Sequence, residues 1–516
     1  MARSLLGTAV AGLVGLVVLS AVTTADQNRS RGAARTSAAS EAEARALCGT
    51  ACHVFPPADI LPRSEWPDVV GKMHLFRTGQ PVPIGPPGTI ARNVALPDDM
   101  ERVLQYYLAN APRALPPPDP WPAVERSPRV RFEARPLSLS RPRRTAAISH
   151  VRFLDLDGDG SPEIVATDMR YGYVLVGRPA DPERPHLEVI ADVPHPAHLE
   201  MVDFDGDGRR DLIVADLGSF PPEDHDRGGI VWLKQKEDGT FGALDVRGFP
   251  RVADVQPADF DGDGRIDLLV GAFGWRRTGF ITLLRNLTDD YARPSLQAAQ
   301  IDGRTGTIHV PTADLNGDGR LDFVALLAQE HETVVAFLND GAGGFTPQTI
   351  YTAPHPNWGS SGIQLVDFDG DGDIDVLMTN GDSFDDYLIK PYHGIQWLEN
   401  TGTFPFRAHP IAPMAGAHRA QAVDLDGDGD LDVVTCALLG VTREDSDVDL
   451  PSLVWLERIG RNEFRRHTLA RGVPQHASLD TADFDGDGDI DIVVGNFATT
   501  RQVESSLVLW VNQLKK

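Results

Sequence analysis

The chain has 516 residues, enough for more than one domain and for a large buried core. Its 74 acidic residues against 48 basic ones give a formal charge of -26, which excludes nucleic acid and anionic membrane surfaces as partners unless cations neutralise the acids. Three cysteines are too few for a disulfide scaffold, so the position of each one carries information.

Residues 1–25 read as an export signal, with Arg3 as the charged flank, an apolar run from Leu5 to about Val22, and Thr23, Thr24 and Ala25 as the cleavage site. The run approaches the ~20 residues that span a bilayer, so a retained anchor is the alternative, and the only membrane contact expected. Either reading places the rest outside the cytoplasm, periplasmic or extracellular. Residues 26–44 are polar and rich in Ala, Ser and Arg, and read as a disordered tether.

Residues 45–111 form a small helical module. Cys48 and Cys52 lie four apart and His53 follows directly. Two thiols at such a spacing can reach the vinyl groups of a haem, and the adjacent imidazole can ligate its iron. A Cys48–Cys52 disulfide and another kind of metal site are the alternatives. Helical periodicity follows at Trp66, Val69, Val70 and Met73, after Ser64 as the expected cap, and again at Met100, Val103, Leu104, Tyr107 and Leu108. The motif resembles the attachment site of c-type cytochromes, with one residue more than usual between the cysteines. The two helices after it resemble a minimal class I cytochrome c domain. That resemblance implies one haem c, held by Cys48, Cys52 and His53. Met73 is the preferred sixth ligand, with Met100 and His74 behind it.

Seven prolines between Ala111 and Pro128 mark residues 112–128 as a stiff, extended spacer. Val130–Ala134 alternates like a strand. The remainder, 129–516, is dominated by one repeat: Asp-x-Asp/Asn-Gly-Asp-Gly-x-x-Asp/Glu begins at Asp155, Asp203, Asp259, Asp314, Asp367, Asp424 and Asp483. Successive starts differ by 48, 56, 55, 53, 57 and 59 residues, a quasi-period set by one reused unit. Each copy has a short strand pattern before the acids and up to three after them, such as Ile490–Gly495 and Ile230–Leu233. Four strands per unit in a repeating array predict a mainly β chain folded as a seven-bladed propeller. The last unit ends after its third strand, so Val130–Ala134 is expected to supply the fourth and close the ring.

Within each acidic string, positions 1, 3, 5 and 9 carry oxygen donors, and glycines at 4 and 6 permit the turn that brings them together. The sets are Asp155, Asp157, Asp159 and Glu163; Asp203, Asp205, Asp207 and Asp211; Asp259, Asp261, Asp263 and Asp267; Asp314, Asn316, Asp318 and Asp322; Asp367, Asp369, Asp371 and Asp375; Asp424, Asp426, Asp428 and Asp432; and Asp483, Asp485, Asp487 and Asp491. Hard oxygen ligands in this number suit Ca²⁺, giving up to seven ions in a structural role. An EF-hand is excluded because the twelfth position is apolar, as at Val214 and Val494, and belongs to a strand. Bare acidic turns would repel one another. The pattern resembles the FG-GAP or VCBS repeat family, related to the integrin α-subunit propellers. That resemblance implies a propeller with calcium ligands at these positions, on the loop joining the innermost strand to the next.

Residues about five before each first Asp are expected at the opposite, central face. They include His150, His198, Asp254 and His309, with His418 and His476 slightly further back, a set that could bind a metal, an anion or a redox partner. Cys436, in an apolar strand pattern, reads as a buried small hydrophobe. No nucleophile elbow, phosphate loop, HExxH motif or dinucleotide fingerprint is present, so no particular hydrolase or nucleotide enzyme is indicated. Two readings remain: a haem protein passing electrons to a partner or substrate at the propeller, an oxidoreductase if it is an enzyme, or a non-enzymatic propeller that binds a protein or glycan.

Overall fold

The computed structural model describes residues 38–48, 54–83, 88–118, 120–121, 127, 129–181, 183–440, 448–499 and 501–514. The export or anchor segment, most of the tether, and Cys52 and His53 lie outside these residues. No helix among the described residues is long and apolar enough to cross a membrane. The chain divides into two units, residues 1–47 with 63–111, and 48–62 with 112–516.

In the helical unit, α1 (Glu41–Cys48) starts inside the stretch read as tether. The cause is a capping box: the Ser40 hydroxyl accepts the Glu43 N–H at 3.3 Å, and the Glu43 carboxylate accepts the Ser40 N–H at 2.7 Å. The two expected stripes become α2 (Trp66–Arg77) and α4 (Asp98–Asn110), with the short α3 (Thr89–Asn93) between them. Ser64 does not cap α2; Glu65 holds that position without a side-chain cap bond. Trp66, Val70, Met100, Val103 and Tyr107 are buried, and the Trp66 and Tyr107 rings stack with centroids 3.6 Å apart. Gly71 lets α3 approach α2, since a Cβ there would come within 2.6 Å of Ile90.

The second unit is a ring of seven sheets, one per repeat. Blade 1 is typical, with strands Ile148–Leu154, Glu163–Asp168, Tyr173–Gly177 and Glu188–Asp192 paired antiparallel in chain order. The last blade is closed by Phe132–Leu137, which pairs with Leu507–Asn512 from Phe132 opposite Asn512 to Leu137 opposite Leu507. The closing strand is the one expected, starting two residues later and ending three residues later. Ring closure leaves no seam between first and last blades.

Every second strand is buried along its length, and its alternate residues feed two different cores. In blade 2, Leu212 and Val214 pack with Val165 and Val176 of blade 1, whereas Ile213 and Ala215 pack with Leu268 and Val270 of blade 3. Cys436 is one of these buried residues. In blade 4 the inner strand is split into Thr307–His309 and Thr312–Ala313 around Pro311, which has no N–H to give the ladder. Residues 54–62, expected in the helical module, belong to the propeller unit, where the Tyr392 hydroxyl donates to the Ile60 carbonyl at 3.4 Å. The proline-rich stretch is more than a spacer: Trp121 packs against the blade 5–6 core, beneath the Arg466 guanidinium at 4.9 Å.

Candidate metal loops and a charged propeller axis

Each acidic string occupies the connection from inner to second strand, and its ninth residue opens the second strand. The first carboxylate organises the turn. Asp203 accepts the N–H groups of Asp207 and Gly208 at 3.0 and 2.9 Å, and Asp155 accepts those of Gly158 and Gly160 at 2.8 and 3.2 Å. Both loop glycines have positive φ, for example 72° at Gly206 and 82° at Gly208, where a side chain would be strained. The oxygens converge as a result. Donor atoms of Asp155, Asp157 and Glu163 lie within 4.8 Å of one another, as do those of Asp203, Asp205 and Asp211. The same holds at positions 1, 3 and 5 of the loops starting at Asp259, Asp367 and Asp424.

In three loops position 3 points inward. Asp205, Asp369 and Asp426 each keep one buried carboxylate oxygen without a hydrogen-bond partner. The ninth carboxylate has a second task. One Asp211 oxygen accepts the Gln235 N–H at 2.8 Å, and the other accepts the Phe204 N–H at 3.4 Å and the Trp232 indole N–H at 2.8 Å. It thereby ties the loop to the end of the third strand. Asp267, Asp322, Asp375, Asp432 and Asp491 repeat the bond to the third-strand end, at 2.6–2.8 Å. Burial, reinforced by neighbouring acids, pushes Asp267, Asp375 and Asp491 up to about 6 and Asp432 up to about 7. Negative charge at these loops is undercompensated, and basic side chains are drawn to it: Lys234 contacts Asp205 and lies 3.1 Å from Asp207, and Arg285 pairs with Asp261.

Three segments match the model of the FG-GAP-like repeat: residues 203–270, 314–378 and 379–435. The chain carries FG-GAP-like repeats. The matched segments contain the loops that start at Asp203, Asp259, Asp314, Asp367 and Asp424; the loops that start at Asp155 and Asp483 lie outside them and occupy the same connection from inner to second strand. No curated protein matches the chain.

The inner strands of the repeats meet around the propeller axis, and each carries a register shift seven to five residues before the first loop Asp, as between Pro196 and His198. After that bulge, alternate residues continue the ring. Its first tier is His150, His198, Asp254, His309, Gly362, Arg419 and Ser478. His418 and His476 do not join this tier, because in blade 6 the bulge consumes His418 and in blade 7 His476 precedes the bulge. Both remain buried enough to be pushed down to about 4. The second tier, two residues on, includes Arg152, Glu200, Gln256, Gln421 and Asp480, which counting histidines alone does not find.

The two tiers form one chain of polar contacts. The His150 and His198 rings stack at 4.1 Å. His198 Nε2 lies 2.9 Å from Glu200 and 3.2 Å from Asp254, whose other oxygen is 3.7 Å from His309 Nδ1. His309 Nε2 accepts from the Arg419 guanidinium at 3.2 Å. Arg152 reaches Glu200 at 3.1 Å and Asp480 at 3.6 Å, and Gln421 donates to Asp480 at 2.8 Å. Burial, with His198 and Arg152 adding to it, holds His150 well below its usual range, and burial beside Arg419 pushes His309 down to about 4. Burial alone would raise Asp254, yet His198 and His309 hold it well below the carboxylate range. Gly362 lets blade 6 approach blade 5 closely, since a Cβ there would stand 2.8 Å from the His418 carbonyl oxygen and 2.9 Å from Thr379 Oγ1.

Proposed function

We propose that this is an exported, calcium-loaded propeller whose rigid disc presents its face opposite the acidic loops to a protein or glycan ligand. The observation that carries the reading is the convergence of the acidic loops, with orphaned buried oxygens at Asp205, Asp369 and Asp426. Seven Ca²⁺ ions at the sets beginning with Asp155, Asp203, Asp259, Asp314, Asp367, Asp424 and Asp483 would satisfy these oxygens and cancel the repulsion within each loop. The charge of -26 makes nucleic acid an unsuitable ligand. On the opposite face, the connection 381–393 of blade 5 exposes Phe384 and Tyr387, 37% and 45% accessible, beside Gly440 of blade 6. Exposed aromatics of this kind supply contact area to proteins and sugars alike. Chelation tests the reading: calcium bound only by the folded state raises its melting temperature, and an unchanged melting temperature after chelation would contradict it.

A second reading rests on the spacing of Cys48, Cys52 and His53, with Met73 as sixth ligand: one covalent haem exchanging single electrons with a redox partner or with a substrate at the propeller. His74, next to Met73 on α2, has a buried Nδ1 with no partner, as an imidazole beside an absent group would. Cys52 and His53 lie outside the described residues, as does the Cys48 side chain. An optical spectrum and the mass of the peptide spanning Cys48–His53 separate the readings. Sharp reduced bands with added haem mass select the redox reading; a colourless protein two hydrogens light selects a disulfide.

A further inference from the structure

We infer that the seven loops form two classes of calcium site, tight in blades 5–7 and weaker in blades 1–4, set by charges outside the ligand quartet. The inference rests on the calcium reading and goes beyond it, since the quartets themselves are nearly identical. The seventh loop residue differs sharply between the classes. It is Arg209, Arg265 and Arg320 in blades 2–4, but Asp373, Asp430 and Asp489 in blades 5–7. Charge count is one of the two levers that tune an oxygen site for Ca²⁺, rigidity being the other.

The three arginines are anchored competitors. Each guanidinium pairs with the fifth-position carboxylate of its own loop, Asp207, Asp263 or Asp318. Each Nε also donates to the carbonyl at the end of the third strand, Gln235 at 3.0 Å, Asn286 at 2.6 Å and Asn339 at 2.9 Å. An ion that takes the fifth carboxylate must therefore break a pair whose cation cannot swing away without losing a second bond. Blades 2 and 3 add a further base from the third strand: Lys234 contacts Asp205 and lies 3.1 Å from Asp207, and Arg285 Nε donates to Asp261 at 3.0 Å. In blade 1 the seventh residue is Ser161, but Arg178 stands 3.5 Å from Glu163 and Arg210 2.8 Å from Asp155.

Blades 5–7 reverse the balance. Asp430 and Asp489 each keep a buried oxygen without a hydrogen-bond partner, and Asp489 is only 5% accessible. A fifth carboxylate beside the quartet raises the repulsion that a divalent ion relieves. The bases that reach these loops, Arg461 at 3.2 Å from Asp369 and Arg129 at 3.7 Å from Asp426, are exposed side chains, and such pairs contribute little. Limiting calcium thus loads one arc of the ring first, the arc that holds the closing strand of blade 7 and the connection with Phe384 and Tyr387 in blade 5.

The test is a calorimetric titration of Ca²⁺ into the chelator-stripped full chain. The expected result is three tight equivalents followed by weaker ones, at least about tenfold apart in affinity. Combining Arg209→Asp, Arg265→Asp and Arg320→Asp should raise the tight count to six, and combining Asp373→Asn, Asp430→Asn and Asp489→Asn should weaken the tight class about tenfold. Arg320→Asp alone, which should give four tight equivalents, serves if a combined variant fails to melt cooperatively. A single class of sites, or a tight count unmoved by these substitutions, would overturn the inference while leaving the calcium reading intact. No calcium binding at all, with a melting temperature indifferent to chelation, would overturn both.

Discussion

At the scale of single residues, the ninth loop position does two jobs that a ligand pattern alone does not separate. Asp211 is fully buried and satisfies two backbone N–H groups and one indole N–H. Its replacement by Ala orphans these donors, at about 1–3 kcal/mol each, so Asp211→Ala should lose at least about 3 kcal/mol even under chelation. Asp207→Ala removes an outward carboxylate and should cost little without calcium while weakening calcium binding. Urea denaturation of both variants, with calcium and with chelator, checks the contrast. The acids at Asp267, Asp375, Asp432 and Asp491 give a second outcome. Raised to about 6–7 without metal, they hold protons at pH 6 that an ion must displace, so calcium addition should release more protons at pH 6 than at pH 8. An indicator-dye titration measures this, and equal release at both pH values would contradict it.

At the scale of elements, strand pairing explains which changes the ring tolerates. Pro136 sits natively opposite Val508 in the closing strand, so even-numbered residues there give no essential N–H to the ladder. The flanking carbonyls of Arg131 and Leu137 accept from Gln513 and Ser506, consistent with the odd-numbered residues facing the partner. Arg135→Pro should therefore remove a bond that closes the ring and cost about 3 kcal/mol, whereas Ala134→Pro should be nearly neutral. Thermal melts of the two variants decide it. Most of these elements are legible in the sequence. The acidic strings marked every blade and every loop, and Val130–Ala134 marked the closing strand, because each is a local pattern. The helix α1 was missed although Ser40 and Glu43 spell a capping box, since the surrounding composition resembles a tether. The axial ring was only half visible. His150, His198, Asp254 and His309 stood out by residue type, but Arg419 and Glu200 enter it through bulges and alternation that only the register reveals, and the same bulge took His418 and His476 out.

At the scale of the whole molecule, the propeller unit is a closed ring with an acidic loop at each of its seven inner-to-second-strand connections and a charged axis. A calcium ion bound at a loop would contribute stability by mass action, about 2.7 kcal/mol when free calcium is 100-fold above its dissociation constant. Several such sites in one cooperative ring should dominate its thermal stability. The central claim, that the acidic loops are calcium sites, is tested most directly by scanning calorimetry of the full chain across a calcium series that ends in chelator. The melting temperature should climb steadily with the logarithm of free calcium and fall furthest in chelator. A melting temperature independent of calcium would show the loops to be hydrogen-bonded turns that bind no ion.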